Sequence, residues 1–174
     1  MIQKYSRERI LQEFFDFPRK DFQMRELSRR AKIAQPSVMN HLKKLVEEKL
    51  VMKEKKGTYP TFRANRDDEQ FRLLKKLDLV YRIKQSGLLD HIYDGCMPGV
   101  IILFGSASKG EDIEQSDIDI FVQAQGKKLD LEKYERMFNR KISLFFETNF
   151  SRLSPELKNN ILNGVILCGY IKVF

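Results

Sequence analysis

The sequence predicts an α+β chain in two parts: three helices with a β-hairpin, then a small mixed sheet with helices. Three observations lead there. Apolar residues recur at helical spacing three times before residue 50, the pattern alternates like strands on either side of Gly57, and a β-branched run, Val100–Phe104, opens a new region. The length of 174 residues, with 42% hydrophobic and 32% charged, suits one mid-sized domain or two small ones. The net charge of +8 is unevenly placed: residues 1–66 hold 17 Lys/Arg against 8 Asp/Glu, whereas residues 67–174 hold 15 against 16. A basic part joined to a neutral one points to a polyanion-binding module attached to something else, with a solubilising charge bias as the alternative.

The elements follow in order. Ser6–Phe15 carries Ile10, Leu11, Phe14 and Phe15 on one side, with Ser6 as the expected N-cap and Phe17-Pro18 as the break. Phe22–Ala31 is a second, short helix. Gln35–Glu48 is a third, with an apolar stripe at Val38, Leu42, Leu45 and Val46. Only Lys32-Ile33-Ala34 separates these two, the spacing of a helix-turn-helix. Leu50–Asn65 then reads as two strands with Gly57 at the turn.

This order, with the stretch AQPSVMNHLKKLVEEKLV, resembles the winged helix-turn-helix DNA-binding family over about residues 5–65. With the apolar stripe facing inward, Ser37, Asn40 and Lys44 fall on the outer face of the third helix, flanked by Gln35 and His41. Ser37 and Asn40 are suited to base edges, and Lys44 with the hairpin lysines Lys53, Lys55 and Lys56 to phosphates. Double-stranded DNA is therefore the expected partner of residues 1–66. A homodimer reading two half-sites is the further expectation.

Residues 67–94 read as a helical connector. Asp67–Ser86 forms its main helix, with an expected seam of Phe71, Leu74, Leu77, Val80 and Tyr81. Residues 95–174 form the second domain. Val100–Phe104 is a buried strand ending at Gly105-Ser106, a turn expected to open a helix, and Asp117–Val122 is a second strand. Gly105 lets a backbone approach a phosphate, and Ser106 adds a hydroxyl. Asp117 and Asp119 alternate onto one strand face, where two carboxylates repel unless a cation lies between them, and hard oxygens favour Mg²⁺ (or Mn²⁺). A helix over Leu129–Phe138, a strand over Arg140–Glu147, a helix over Ser154–Leu162 and a final segment from Val165 complete the chain. Cys96 and Cys168 read as reduced core thiols, no stretch is long enough to span a membrane, and no basic-then-apolar leader opens the chain, so a cytoplasmic protein is expected.

The segment ILFGSASKGEDIEQSDIDIFV resembles the signature of the DNA polymerase β-like nucleotidyltransferases, closest to the minimal nucleotidyltransferases. The resemblance implies a small mixed sheet, Asp117 and Asp119 as catalytic metal ligands, and a nucleoside triphosphate gripped by Gly105, Ser106, Lys109 and Ser116. It implies transfer of a nucleoside monophosphate to an acceptor, with a protein of the HEPN type as the candidate. The family's third carboxylate falls by spacing on Ser143. Glu147 lies on the same strand face about 13 Å further along and serves as a metal ligand only if the register slips or the strand ends early. Two functions stay open: a DNA-tethered nucleotidyltransferase, or a regulator whose domain binds nucleotide without turning it over.

Overall fold

The computed structural model describes residues 5–56 and 58–172, with Lys56 described by its backbone alone. Gly57, expected at the hairpin turn, lies outside the described residues. The chain divides into two compact units, 1–75 and 76–174. The fold is α+β, with seven α-helices and two sheets among the described residues. No described helix is long and apolar enough to cross a membrane.

In the first unit, α1 (Ser6–Asp16), α2 (Met24–Ala31) and α3 (Gln35–Glu47) surround one core. Ile10 and Phe14 of α1, Leu27 of α2, and Val38, Leu42 and Leu45 of α3 are fully buried there. Ser6 is the first helical residue rather than the cap: Tyr5 stands at the N-cap, with no side-chain cap bond. The expected helix start at Phe22 is also corrected. Phe22–Gln23 form a short strand, β1, because Phe22 pairs with Phe62 and buries its ring against Phe14, 5.4 Å away. Lys32 closes α2 in the left-handed conformation, φ 53°. β2 (Val51–Lys56) and β3 (Tyr59–Ala64) form the hairpin, and the antiparallel sheet runs β1-β3-β2.

The boundary between units falls inside α4 (Glu69–Ser86), so the expected connector 67–94 is shared between them. Asp68 starts α4 by accepting the Phe71 amide through its carboxylate at 2.8 Å. The buried stripe is Phe71, Lys75, Leu79 and Ile83, whereas Leu77 and Tyr81 of the expected seam are exposed. The expected seam leaves Lys75 out, as is usual for lysine. Phe71 is common to stripe and seam, and Leu74 and Val80 of the expected seam stay partly buried.

In the second unit, Gly87 at φ 80° separates α4 from α5 (Leu88–Cys96). The mixed sheet has the order β6-β5-β4-β7, with β4 (Val100–Phe104) antiparallel to β5 (Ile118–Val122) and β7 (Val165–Gly169), and β5 parallel to β6 (Ile142–Phe146). α6 (Glu132–Phe138) supplies the crossover that a parallel pair requires. Ile118, Ile120 and Val122 point into one core with Ile83, Leu88 and Ile92. The opposite face of the sheet packs Val100, Ile102 and Phe121 against Phe150, Leu153 and Ile161, the last in α7 (Pro155–Leu162). Ser154 caps α7, accepting the Leu157 amide. Cys96 and Cys168 are free and half-buried, and burial pushes the Cys96 thiol up.

Candidate functional site

β4 ends where Gly105 adopts φ +71°, a conformation that suits glycine. A Cβ placed there would lie 2.6 Å from Asp119 Oδ2, so the glycine leaves the space that the carboxylate fills. The register explains the closeness, since Phe104 pairs with Asp119 across the antiparallel ladder. The turn after Gly105 is a single 3-10 turn, Ala107–Lys109, rather than the expected helix. The Ser106 carbonyl accepts both the Lys109 and Glu111 amides, and Gly110 at φ 73° ends the turn. The buried Ser108 hydroxyl donates to the Gly105 carbonyl at 2.8 Å and fixes the bend. Ser106 is half-buried and Lys109 exposed on the same loop.

Asp117 lies one residue before β5 and is exposed; Asp119 lies within the strand and is half-buried. Burial first, then the negative charge of Asp117, push the Asp119 carboxyl up, and Arg140 partly offsets them. The two carboxylates therefore share one field beside Gly105. A raised native pKa means that ionised Asp119 costs stability above that value. The cost disappears as pH falls below the carboxylate's unfolded value, about 3.9. Asp119→Asn is thus expected to melt higher than the wild type at neutral pH, with the difference shrinking through the carboxylate range. Identical melting at every pH would contradict the upward shift, to which burial contributes most and Asp117 next.

Arg140, absent from the sequence reading, anchors the loop that carries Asp117. Its guanidinium donates from Nε to the Ser116 carbonyl at 2.7 Å, from Nη2 to the Asp117 carbonyl at 3.0 Å, and from Nη1 to Asp112 at 2.6 Å. Asp112 is buried, with 2% of its side chain exposed. One planar fork thus ties down the loop that presents Asp117, a task a lysine's single ammonium cannot copy. The Ser116 hydroxyl, expected to bind nucleotide, accepts the Ile113 amide at 3.0 Å and closes this loop. A cleft of about 510 Å³ opens alongside, lined by Ser116, Asp117, Glu135, Arg136 and Lys141 among others.

The third-carboxylate question has a geometric answer. Parallel pairing sets Ser143 opposite Asp119, on the same sheet face. Glu147 follows the end of β6, its amide bonded to the Val122 carbonyl at the opposite end of β5 from Asp119. Its carboxylate accepts the Asn149 amide at 2.9 Å and the Thr148 hydroxyl at 3.3 Å, and the Asn149 bond chiefly holds its pKa below the usual range. The expectation of Glu147 as a metal ligand is therefore corrected: the register does not slip, the strand ends only at Phe146, and Glu147 caps its own turn. No cluster of three or more His, Cys, Asp or Glu side chains arranged for a metal occurs among the described residues. The donor set is two carboxylates. That fits one hard divalent ion whose remaining positions are filled by phosphate oxygens and water, and does not fit a three-carboxylate centre.

In the first unit the outer face of α3 exposes Gln35, Asn40 and Lys44, with Ser37 and His41 half-buried. Lys53 and Lys55 are exposed on β2, and the Lys56 side chain lies outside the described residues.

Comparison with known families bears on the second unit. Residues 97–170 match the family model described as Polymerase beta, Nucleotidyltransferase. The match takes in β4 through β7, with Gly105, Asp117, Asp119 and Arg140, and does not reach α1–α5. It supports a nucleotidyltransferase assignment for that stretch at the level of the family. No curated protein and no solved structure matches the chain.

Proposed function

We propose that this chain is a nucleotide-responsive DNA-binding protein: its second unit holds a magnesium nucleoside triphosphate, and its first unit holds double-stranded DNA. One observation carries the nucleotide reading. Gly105, in the left-handed conformation, lies directly against the Asp119 carboxylate, with Asp117 alongside. The turn that begins at Gly105 and a repelling carboxylate pair then lie side by side, and a bound Mg²⁺ (or Mn²⁺) would supply the charge that both the pair and the phosphates lack. In this reading the phosphate chain lies beside the Gly105 turn, the Ser106 hydroxyl and Lys109 on the same loop would contact it, and Arg140 holds Asp117 in position.

Ser143 favours binding over turnover. Nucleotidyl transfer joins an acceptor oxygen to the α-phosphorus, expels pyrophosphate and needs somewhere for the acceptor's proton to go. Ser143 beside Asp119 is neither an anionic ligand nor a base at neutral pH. The second reading, a transferase with a protein acceptor such as a HEPN-type partner, draws on the family match and on the cleft beside Asp117. Incubation with Mg²⁺ and each labelled triphosphate separates the two. The regulator reading expects no label on any protein above that seen with Asp117→Ala, and a gain with Ser143→Asp. Label transferred by the wild type, lost in Asp117→Ala, establishes the transferase instead.

The DNA reading rests on the charge excess of residues 1–66 and on the outer face of α3. Binding is expected to weaken linearly in a plot of log affinity against log salt. Lys44→Ala should flatten that slope by about 0.9, while Asn40→Ala should cost about 1–3 kcal/mol of discrimination between sites. Affinity that survives both substitutions unchanged would place the DNA elsewhere.

A further inference from the structure

The sheet face that carries Asp119 continues into two aromatic rings. Phe121 stands two residues beyond Asp119 on β5, Phe145 two residues beyond Ser143 on β6, and the register pairs them. Their rings stack, with centroids 6.3 Å apart and planes inclined by 28°. Phe121 is fully buried and is fixed from another side by the edge-on ring of Phe150 at 6.2 Å. Phe145 is 39% exposed on the outermost strand. It is a ring supported from one side by a buried aromatic and open to solvent on the other. A single exposed apolar residue is ordinary. Its placement is not: at about 3.3 Å per residue it sits roughly 7 Å along the strands from Asp119 and Ser143, on their face.

We propose that Phe145 is the stacking platform for the base of the nucleoside triphosphate, an inference that rests on the nucleotide reading above. With the phosphates at Gly105 and the carboxylate pair, a chain running along this face brings the base over β6, where Phe145 offers the one aromatic surface the register places there. A stacking contact accepts any base through its π-face. The nearest polar side chain further along the strand, Glu147, is committed to Asn149 and Thr148. The site therefore binds purine and pyrimidine nucleotides with little distinction by hydrogen bonding.

The test is calorimetric titration of the full chain with Mg·ATP, Mg·CTP and magnesium tripolyphosphate, which carries the phosphates without a base. Phe145→Leu keeps apolar bulk on Phe121 and removes the π-face; Phe145→Tyr restores it. Phe145→Leu is expected to weaken both nucleotides at least about fivefold while tripolyphosphate binds as before, and Phe145→Tyr to recover nucleotide affinity. Unchanged nucleotide affinity in Phe145→Leu, with tripolyphosphate still bound, overturns the platform and leaves the nucleotide reading standing. So does an equal loss for all three ligands. A change in sedimentation with nucleotide affinity unchanged overturns it too, assigning the ring to a contact between copies. Wild-type protein that binds none of the three ligands fails the nucleotide reading and, with it, the platform.

Discussion

Arg140→Ala is expected to destabilise the second unit by about 3–5 kcal/mol, the largest effect of any single substitution considered, because it strips the guanidinium from a buried carboxylate. The side chains of Arg140 and Asp112 are 12% and 2% exposed, so solvent replaces little of what is lost. Three bonds go at once, to Asp112 and to the carbonyls of Ser116 and Asp117. Nucleotide affinity should therefore fall together with stability, since the Asp117 loop loses its anchor. Arg140→Lys keeps the charge but not the fork and should lie between wild type and Arg140→Ala on both counts. Urea denaturation of the single variants and of Asp112→Ala/Arg140→Ala measures the pair, and the double variant should lose less than the two single losses combined. A loss below about 1 kcal/mol for Arg140→Ala would mean that the pair is solvated and the loop is held by other bonds.

Gly105→Ala is expected to separate binding from stability. The φ of +71° costs an alanine about 1–2 kcal/mol, a modest loss of melting temperature. The steric conflict at 2.6 Å is with Asp119 Oδ2, the mobile end of a side chain, so the fold accommodates the methyl by turning the carboxylate away. That movement removes one of the two expected cation ligands. Magnesium-dependent nucleotide binding should fall at least about tenfold in a protein that remains folded. Wild-type affinity in Gly105→Ala would show that neither the turn nor the placement of Asp119 matters for the ligand.

What could be read from the sequence was mostly local. Strand, Gly105-Ser106, then Asp117 and Asp119 at alternate positions is a pattern within 20 residues, and periodicity and spacing carry such patterns well. The position of Ser143 was also accessible, through the family spacing that the resemblance implies, and the parallel register sets it opposite Asp119. Arg140 was not. It meets Asp112 across 28 residues, and nothing in a chain rich in Lys and Arg distinguishes it from its neighbour Lys141 before the strands are paired. The single 3-10 turn after Gly105 was missed because Gly110 and the doubly bonded Ser106 carbonyl stop what a strand-to-glycine signal would continue as a helix. On α4 the buried Lys75 reversed the rule that keeps lysine out of an apolar stripe. The Lys75 error comes from tertiary context overriding a local preference, whereas the turn after Gly105 is set by its own neighbours.

The most direct measurement is titration of Mg·ATP and Mg·CTP into the wild type and into Asp117→Ala/Asp119→Ala, with and without Mg²⁺. Saturable binding that requires Mg²⁺ and disappears in the double variant is the expected result, and it locates the triphosphate at Gly105 and the carboxylate pair. Absence of binding in the wild type, or equal binding by the double variant, would contradict the account. The carboxylate pair would then hold no nucleotide, and the function of the chain would have to be sought in its basic first unit.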